Sequence, residues 1–204
     1  MGSVESLTNV KKIVENINEP VVVVVSALGG ITDRLIRTSQ LAVAGDDNYR
    51  NEFDAMVDRH HGIIDAVIPA GAAHDALKAK VDALLDELRS IYHGVYLIRD
   101  MTQKTANVIV SYGERMSSQI VSAFIEGSQC YDSREFIKTV RKQNRNLVDF
   151  DVTIRLVIQT FARMPRIAVV PGFIASDAND GETTNLGRGG SDYTAAIIAA
   201  ALNA

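Results

Sequence analysis

The chain opens with apolar residues at the spacing of one helix face: Val4, Leu7, Val10, Ile13, Val14 and Ile17. Pro20 ends that pattern, and an unbroken β-branched run follows from Val21 to Ser26, "VVVVVS". Such a run predicts a strand buried on both faces of a parallel sheet. Helical spacing resumes from about Thr32 to Ala44 and stops at Gly45-Asp46-Asp47. From Tyr49 to Val110 the pattern is almost wholly helical, with expected breaks at Pro69-Ala70-Gly71 and around Tyr92-His93-Gly94. A further helix is predicted over Gly113 to Ile125, a short strand over Gln129 to Tyr131 and a helix over Asp151 to Phe161. "RIAVVPGFIAS", Arg166 to Ser176, reads as a second buried strand with a Pro-Gly step. "DANDGETTNLG" reads as a hairpin-like turn and strand, and the last helix spans about Ser191 to Leu202.

Strands alternating with helices predict an α/β fold, with a mostly parallel sheet, helices on both faces and a helical insertion at about 48–110. No repeat, low-complexity stretch or linker divides the 204 residues, so one domain is expected. A formal net charge of −4 argues against a nucleic-acid partner, whose phosphates select a basic surface. The one basic cluster, "VRKQNR" from Val140 to Arg145, reads as a solvated turn or helix end. No apolar run reaches membrane-span length, and no secretory signal opens the chain. A single cysteine, Cys130, permits no internal disulfide and reads as a small buried hydrophobe in a reducing, cytoplasmic setting. The four histidines show no metal-ligand spacing. His60-His61 reads as a solvated face and His93 as a residue at a helix end.

In open α/β sheets ligands bind beyond the carboxyl ends of the strands. Two motifs lie there. Ser26-Ala27-Leu28-Gly29-Gly30-Ile31-Thr32-Asp33 leaves one buried strand and opens a helix. Bare backbone at Gly29 and Gly30 lets N–H groups approach an anion, with the helix N-terminus adding positive potential and Ser26 and Thr32 adding hydroxyls. A plain tight turn capped by Thr32 explains the same residues. The second motif, Gly187-Arg188-Gly189-Gly190-Ser191-Asp192, again frees backbone at a helix start through Gly189 and Gly190. Ser191 and Asp192 suit a cap and the helix dipole. Arg188 between glycines is not explained that way, and its planar fork suits a carboxylate or phosphate. A third element, "SYGERMSS", places Glu114 where it could take an ammonium group or act as a first-turn helix acid. Neither glycine turn is a Walker loop or a dinucleotide fingerprint.

Together these stretches resemble aspartate kinases, of the amino-acid kinase superfamily. The resemblance runs over "VVVVVSALGGITDRL", "VIVSYGERMSSQIVSAFI", "VVPGFIAS" and "GETTNLGRGGSDYTAAIIAAAL", in that order, and the long helical insertion looks most like the bifunctional aspartate kinase–homoserine dehydrogenase branch. The resemblance implies transfer of a phosphoryl group from ATP, with Mg2+, to the β-carboxylate of L-aspartate. It implies that Arg188 binds the α-carboxylate and Glu114 the α-ammonium. Ser26, Thr32 and Ser191 would line the aspartate site, Gly29, Gly30, Gly189 and Gly190 would face phosphate, and Asp192 would act catalytically by organising the cations. No resident metal is implied. Aspartate kinases also have an initial strand ending in Lys-Phe-Gly-Gly-Thr-Ser and a later nucleotide-binding part, and neither is present in residues 1–204. The chain is therefore expected to be a partial kinase domain, the aspartate-binding lobe, with weak or no turnover. An unpaired sheet edge would favour self-association, so a homo-oligomer is expected. Another kinase of the same superfamily, or a non-catalytic aspartate-binding or subunit-interaction module, are the competing expectations.

Overall fold

A computed structural model describes residues 2–142 and 145–204. The element order is α1 (Val4–Glu15), β1 (Val21–Val25), α2 (Ile31–Ala44), α3 (Tyr49–Val67), α4 (Ala72–Ile98), α5 (Gln103–Phe124), β2 (Ser128–Cys130), β3 (Lys138–Lys142), β4 (Arg145–Val148), α6 (Phe150–Phe161), β5 (Ile167–Pro171), β6 (Ile174–Asp177), β7 (Thr183–Asn185) and α7 (Gly190–Leu202). Among the described residues the first sheet is parallel, in the order β1-β5-β2. Val21 pairs with Ile167 and Val25 with Pro171 on one side of β5, and Ser128 pairs with Ile167 on the other.

The two-residue period of a strand builds two cores from this one sheet. Val21, Val23, Val25, Ile167 and Val169 face the larger core, shared with α1 to α5. Val22, Val24, Ala168 and Val170 face the smaller core, shared with α6 and α7 through Val157, Phe161, Ile197 and Ile198. The α/β fold with helices on both faces is thus present. Burial on both faces fits β5, where every residue is buried. It fits β1 less well, because β1 lies at the sheet edge and only Val25 is fully buried.

The second buried strand divides in two. After β5, Gly172 and Phe173 turn the chain, and β6 enters a separate sheet of order β4-β3-β6-β7. The Phe173 backbone is left-handed (φ 66°), and the Ile174 N–H donates to the Gly172 carbonyl at 2.7 Å. That is a strained three-residue turn, tolerated only where its surroundings enforce it. The second sheet is mixed: β3 pairs antiparallel with β4 and parallel with β6, and β6 pairs antiparallel with β7. The basic cluster expected as a turn or helix end instead contributes the ends of β3 and β4, whose polar residues leave no apolar alternation to read. Gln143 and Asn144 of that cluster lie outside the described residues.

Three helical expectations also change. α4 runs unbroken through Tyr92-His93-Gly94, so His93 is an exposed mid-helix residue. Buried Tyr92 is what holds the helix there, its hydroxyl donating to the Leu35 carbonyl at 2.9 Å. α5 begins at Gln103, capped by Thr102, and runs on through Gly113, so Glu114 lies mid-helix rather than in a first turn. His60 is fully buried, not solvated: with Phe53, Met56, Ile63, Ile64 and Val67 it belongs to the inward stripe of α3. Its Nδ1 lies 2.7 Å from the Met56 carbonyl, and burial pushes its pKa down. His61 is the outward residue of the pair and bonds Asp82 at 2.6 Å. Cys130 is only half-buried.

The junction between β5 and β6 packs against α7 without slack. A Cβ on Gly172 would lie 2.7 Å from the Ser191 Cα, a distance that backbone must move to relieve. Gly172→Ala is expected to destabilise the fold by about 1–3 kcal/mol, as overpacking of a rigid contact does. Chemical denaturation measures it directly, and an unchanged midpoint would refute the tight packing.

Candidate functional site

The carboxyl ends of β1 and β5, the middle of α5 and the N-terminus of α7 meet around a cavity of about 300 Å³. Its lining contains Ser26, Thr32, Glu114, Arg188, Gly189, Gly190, Ser191 and Asp192, together with Gly187 and Phe173. The structure thus gathers eight of the ten residues expected at a site from three separate stretches of sequence. Gly29 and Gly30 are not in the cavity wall. They are exposed at the entry to α2, Gly30 in the left-handed region (φ 81°), and the backbone of Gly2 approaches Gly29 closely.

Each wall has a local cause. α5 reaches the turn after β1 because position 113 carries no side chain: a Cβ on Gly113 would lie 2.8 Å from the Ala27 Cβ. At that distance Glu114 Oε1 accepts the Ala27 N–H at 3.2 Å, and one helical turn on, the Ser117 hydroxyl donates to the Ser26 carbonyl at 2.7 Å. On the opposite wall the Phe173 N–H donates to Thr194 Oγ1 at 3.1 Å, and the Thr194 hydroxyl donates to the Gly190 carbonyl at 2.8 Å. Those bonds clamp the strained Phe173 turn to the first turn of α7. Sequence reasoning passed over Ser117 and Phe173. Ser117 carried a signal, one turn after Glu114 on the same helix face. Phe173 carried only the Pro-Gly step before it.

The electrostatics are uneven. Glu114 is 4% exposed, and its Oε2 has no hydrogen-bond partner. Burial is the largest influence on it and pushes its pKa up to about 7, against the lowering effect of the Ala27 N–H. A buried carboxylate oxygen without a donor is rare and unfavourable, and a cationic group in the cavity would satisfy it. Arg188 and Asp192 are exposed, and among the described residues neither has a salt-bridge partner. Gly189 caps α7 in the left-handed conformation (φ 73°), leaving the first N–H groups of that helix without a side-chain cap. Such a terminus attracts an anion. Among the described residues no group of three or more His, Cys, Asp or Glu is placed to hold a metal. The cavity therefore suits a small molecule bearing both a cation and carboxylates.

An α/β sheet with such a cavity at its carboxyl ends places the chain among the ligand-binding α/β proteins. The model of the amino acid kinase family matches residues 1–204, and the chain belongs to that family. It is 31% identical over 212 residues to the bifunctional aspartokinase/homoserine dehydrogenase 1, chloroplastic, of Zea mays, covering 100% of this chain and 23% of that protein. It is 28% identical to the lysine-sensitive aspartokinase 3 of Escherichia coli, covering 89% of this chain and 40% of that protein. The solved structure of E. coli aspartokinase III in complex with aspartate and ADP superposes with a TM-score of 0.85 at 27% identity, covering 98% of this chain and 44% of the other. The chain thus spans less than half the length of these relatives. Among the described residues no helix is long and apolar enough to cross a membrane.

The orphaned carboxylate gives a test by stability. The pKa of Glu114 is raised on folding, so its protonated form is fully accommodated below the unfolded value of 4.5, and stability is lost as pH rises towards about 7. Glu114→Gln is expected to match the parent chain near pH 4. By pH 8 it should exceed it by an amount on the order of 3 kcal/mol. Thermal unfolding across that range measures it, and a variant that gains nothing at pH 8 would refute the buried, unpartnered carboxylate.

Proposed function

We propose that the cavity binds L-aspartate and that residues 1–204 form the aspartate-binding lobe of an aspartokinase, weak or inactive alone, whose whole enzyme transfers the γ-phosphoryl group of ATP to the substrate β-carboxylate. The observation that carries this reading is the pairing of an uncommitted guanidinium, Arg188, with a buried carboxylate oxygen lacking a donor, Glu114 Oε2, across one small cavity. An α-amino acid presents the complement of both. Arg188 holds the α-carboxylate and Glu114 the α-ammonium, while Ser26, Thr32 and Ser191 offer hydroxyls to the remaining polar atoms. The solved structures of E. coli aspartokinase III in complex with lysine and aspartate, and with aspartate and ADP, support the same ligands.

With its α-groups fixed, the substrate directs its β-carboxylate to the N-terminus of α7 at Gly189 and Gly190, where the Gly190 N–H is already held by the Gly187 carbonyl. An oxygen of that carboxylate attacks the γ-phosphorus, the bond from phosphorus to the β,γ-bridging oxygen breaks, and aspartyl β-phosphate and ADP result. The nucleophile is already ionised, so no general base is required. Positioning and charge neutralisation carry the reaction. The helix N-termini behind Gly29-Gly30 and Gly189-Gly190 stabilise phosphate charge. Asp192 would orient the cations that accompany it, among them Mg2+ brought with the nucleotide, which would neutralise phosphate charge. The plant relatives are named as chloroplastic, and a plastid meets the same reducing requirement as the expected cytoplasm.

The Glu114 contact makes recognition depend on a free amine and on pH. Calorimetry is expected to show L-aspartate binding, no binding of N-acetyl-L-aspartate, and affinity falling as pH drops below about 7 and Glu114 protonates. Arg188→Ala should weaken binding by about 10- to 100-fold, the worth of a charge-assisted hydrogen-bond pair. No binding by the parent chain, or equal binding of the acetylated analogue, would overturn the proposal. ATP-dependent hydroxylamine trapping of aspartyl phosphate, with the Arg188→Ala control, then reads the chemistry. Binding without trapped product would locate the remaining catalytic groups outside residues 1–204.

A further inference from the structure

We infer that Asn107, outside the cavity, is a positioning residue that sets the Arg188 loop through a chain of side-chain amides. Asn107 lies on α5 two turns before Glu114 and is 7% exposed. Its Oδ1 accepts from Asn185 Nδ2 at 2.9 Å and from Gln103 Nε2 at 3.0 Å. Asn185 Oδ1 in turn accepts the Gly187 N–H at 3.2 Å. The Gly187 carbonyl accepts the Gly190 N–H at 3.0 Å, closing a turn that places Arg188 at its tip.

The direction of this chain is fixed by its end. A backbone N–H only donates, so Asn185 presents its oxygen to Gly187 and its amino group to Asn107. Asn107 must then present oxygen, and Gln103 must donate. Gly187 needs that hold, because its backbone is left-handed (φ 75°) and it has no side chain of its own to anchor it. Leu186, before it, is tied by its N–H to the Phe173 carbonyl at 2.8 Å.

The consequence follows from helix geometry. Asn107 and Glu114 are seven residues apart, about 10 Å along one face of a rigid helix. α5 therefore holds the two ends of the ligand site together: Glu114 and Ser117 fix the turn after β1, and Asn107 fixes the loop bearing Arg188. The separation between ammonium-binding and carboxylate-binding groups is set by a single helix. This inference rests on the reading of Arg188 as the carboxylate anchor, while the restraint on the loop is independent of any ligand.

Hydrogen exchange and calorimetry on the full 204-residue chain separate the two. Asn107→Ala should speed amide exchange at Gly187 and Gly190 by about tenfold, the loss of one hydrogen bond's restraint. Exchange within β5 should stay unchanged. Asn107→Asp, which keeps an acceptor oxygen, should restore slow exchange. L-aspartate affinity should fall about 5- to 10-fold in Asn107→Ala. The same substitution in an Arg188→Ala background should cost nothing further. Asn185→Ala cuts the chain from the other side and should give the same signature if Asn107→Ala folds poorly. Unchanged exchange at Gly187 in both variants, or an affinity loss that persists without Arg188, overturns the inference. If the parent chain fails to bind L-aspartate, the functional reading fails and the exchange data still decide the restraint.

Discussion

The site depends on the contact between α5 and the turn that leaves β1. A strand end is the natural place for a ligand, but a bare turn has no fixed shape. Here the Ala27 N–H is taken by Glu114 and the Ser26 carbonyl by Ser117, so both polar groups of that peptide junction are satisfied by one helix. The approach is possible because Gly113 has no side chain to meet Ala27. The glycine is therefore a packing residue whose effect is electrostatic: it lets a carboxylate be buried beside the cavity.

That burial is unfavourable for the fold alone. A carboxylate with one hydrogen bond and one orphaned oxygen lowers stability at neutral pH. The sheet offsets it. β-Branched residues alternate between two cores along β1 and β5, so the same few residues anchor α2 and α5 on one side and α6 and α7 on the other. A second local strain, at Phe173, is held by Thr194 and the first turn of α7. Both unfavourable features border the cavity, which is where stored strain and unsatisfied groups concentrate in functional sites.

Much of this was legible in the sequence because it rests on local pattern. The valine run, the Pro-Gly step and the glycine-framed arginine each mark a strand end or helix start, and those are the points the cavity joins. What was not legible depended on partners distant in sequence. β3 and β4 have polar side chains on both sides, so no alternation reveals them. Glycine at position 94 suggested a helix break, yet Tyr92 bonding to Leu35 carries α4 past it. His60 was read with its neighbour His61 by chemistry, when its spacing from Met56 and Ile64 placed it in the core. At Gly94 tertiary packing overrode a local preference worth about 1 kcal/mol.

The helical insertion acquires a structural reason from the same geometry. α3 and α4 bury apolar stripes against α2 and α5, as Phe53, Met56, Leu85, Leu88 and Tyr92 show. An α5 of 22 residues, packed against those helices along its length, acts as a stiff bar. Stiffness matters because the helix touches the site at points two turns apart, one through Asn107 and one through Glu114. A helix free to bend would let the groups proposed to read the two ends of a zwitterion drift, and a misplacement of about 1 Å is enough to weaken such recognition severely. The insertion therefore supports the cavity from a distance, by packing against the helix that carries both Asn107 and Glu114.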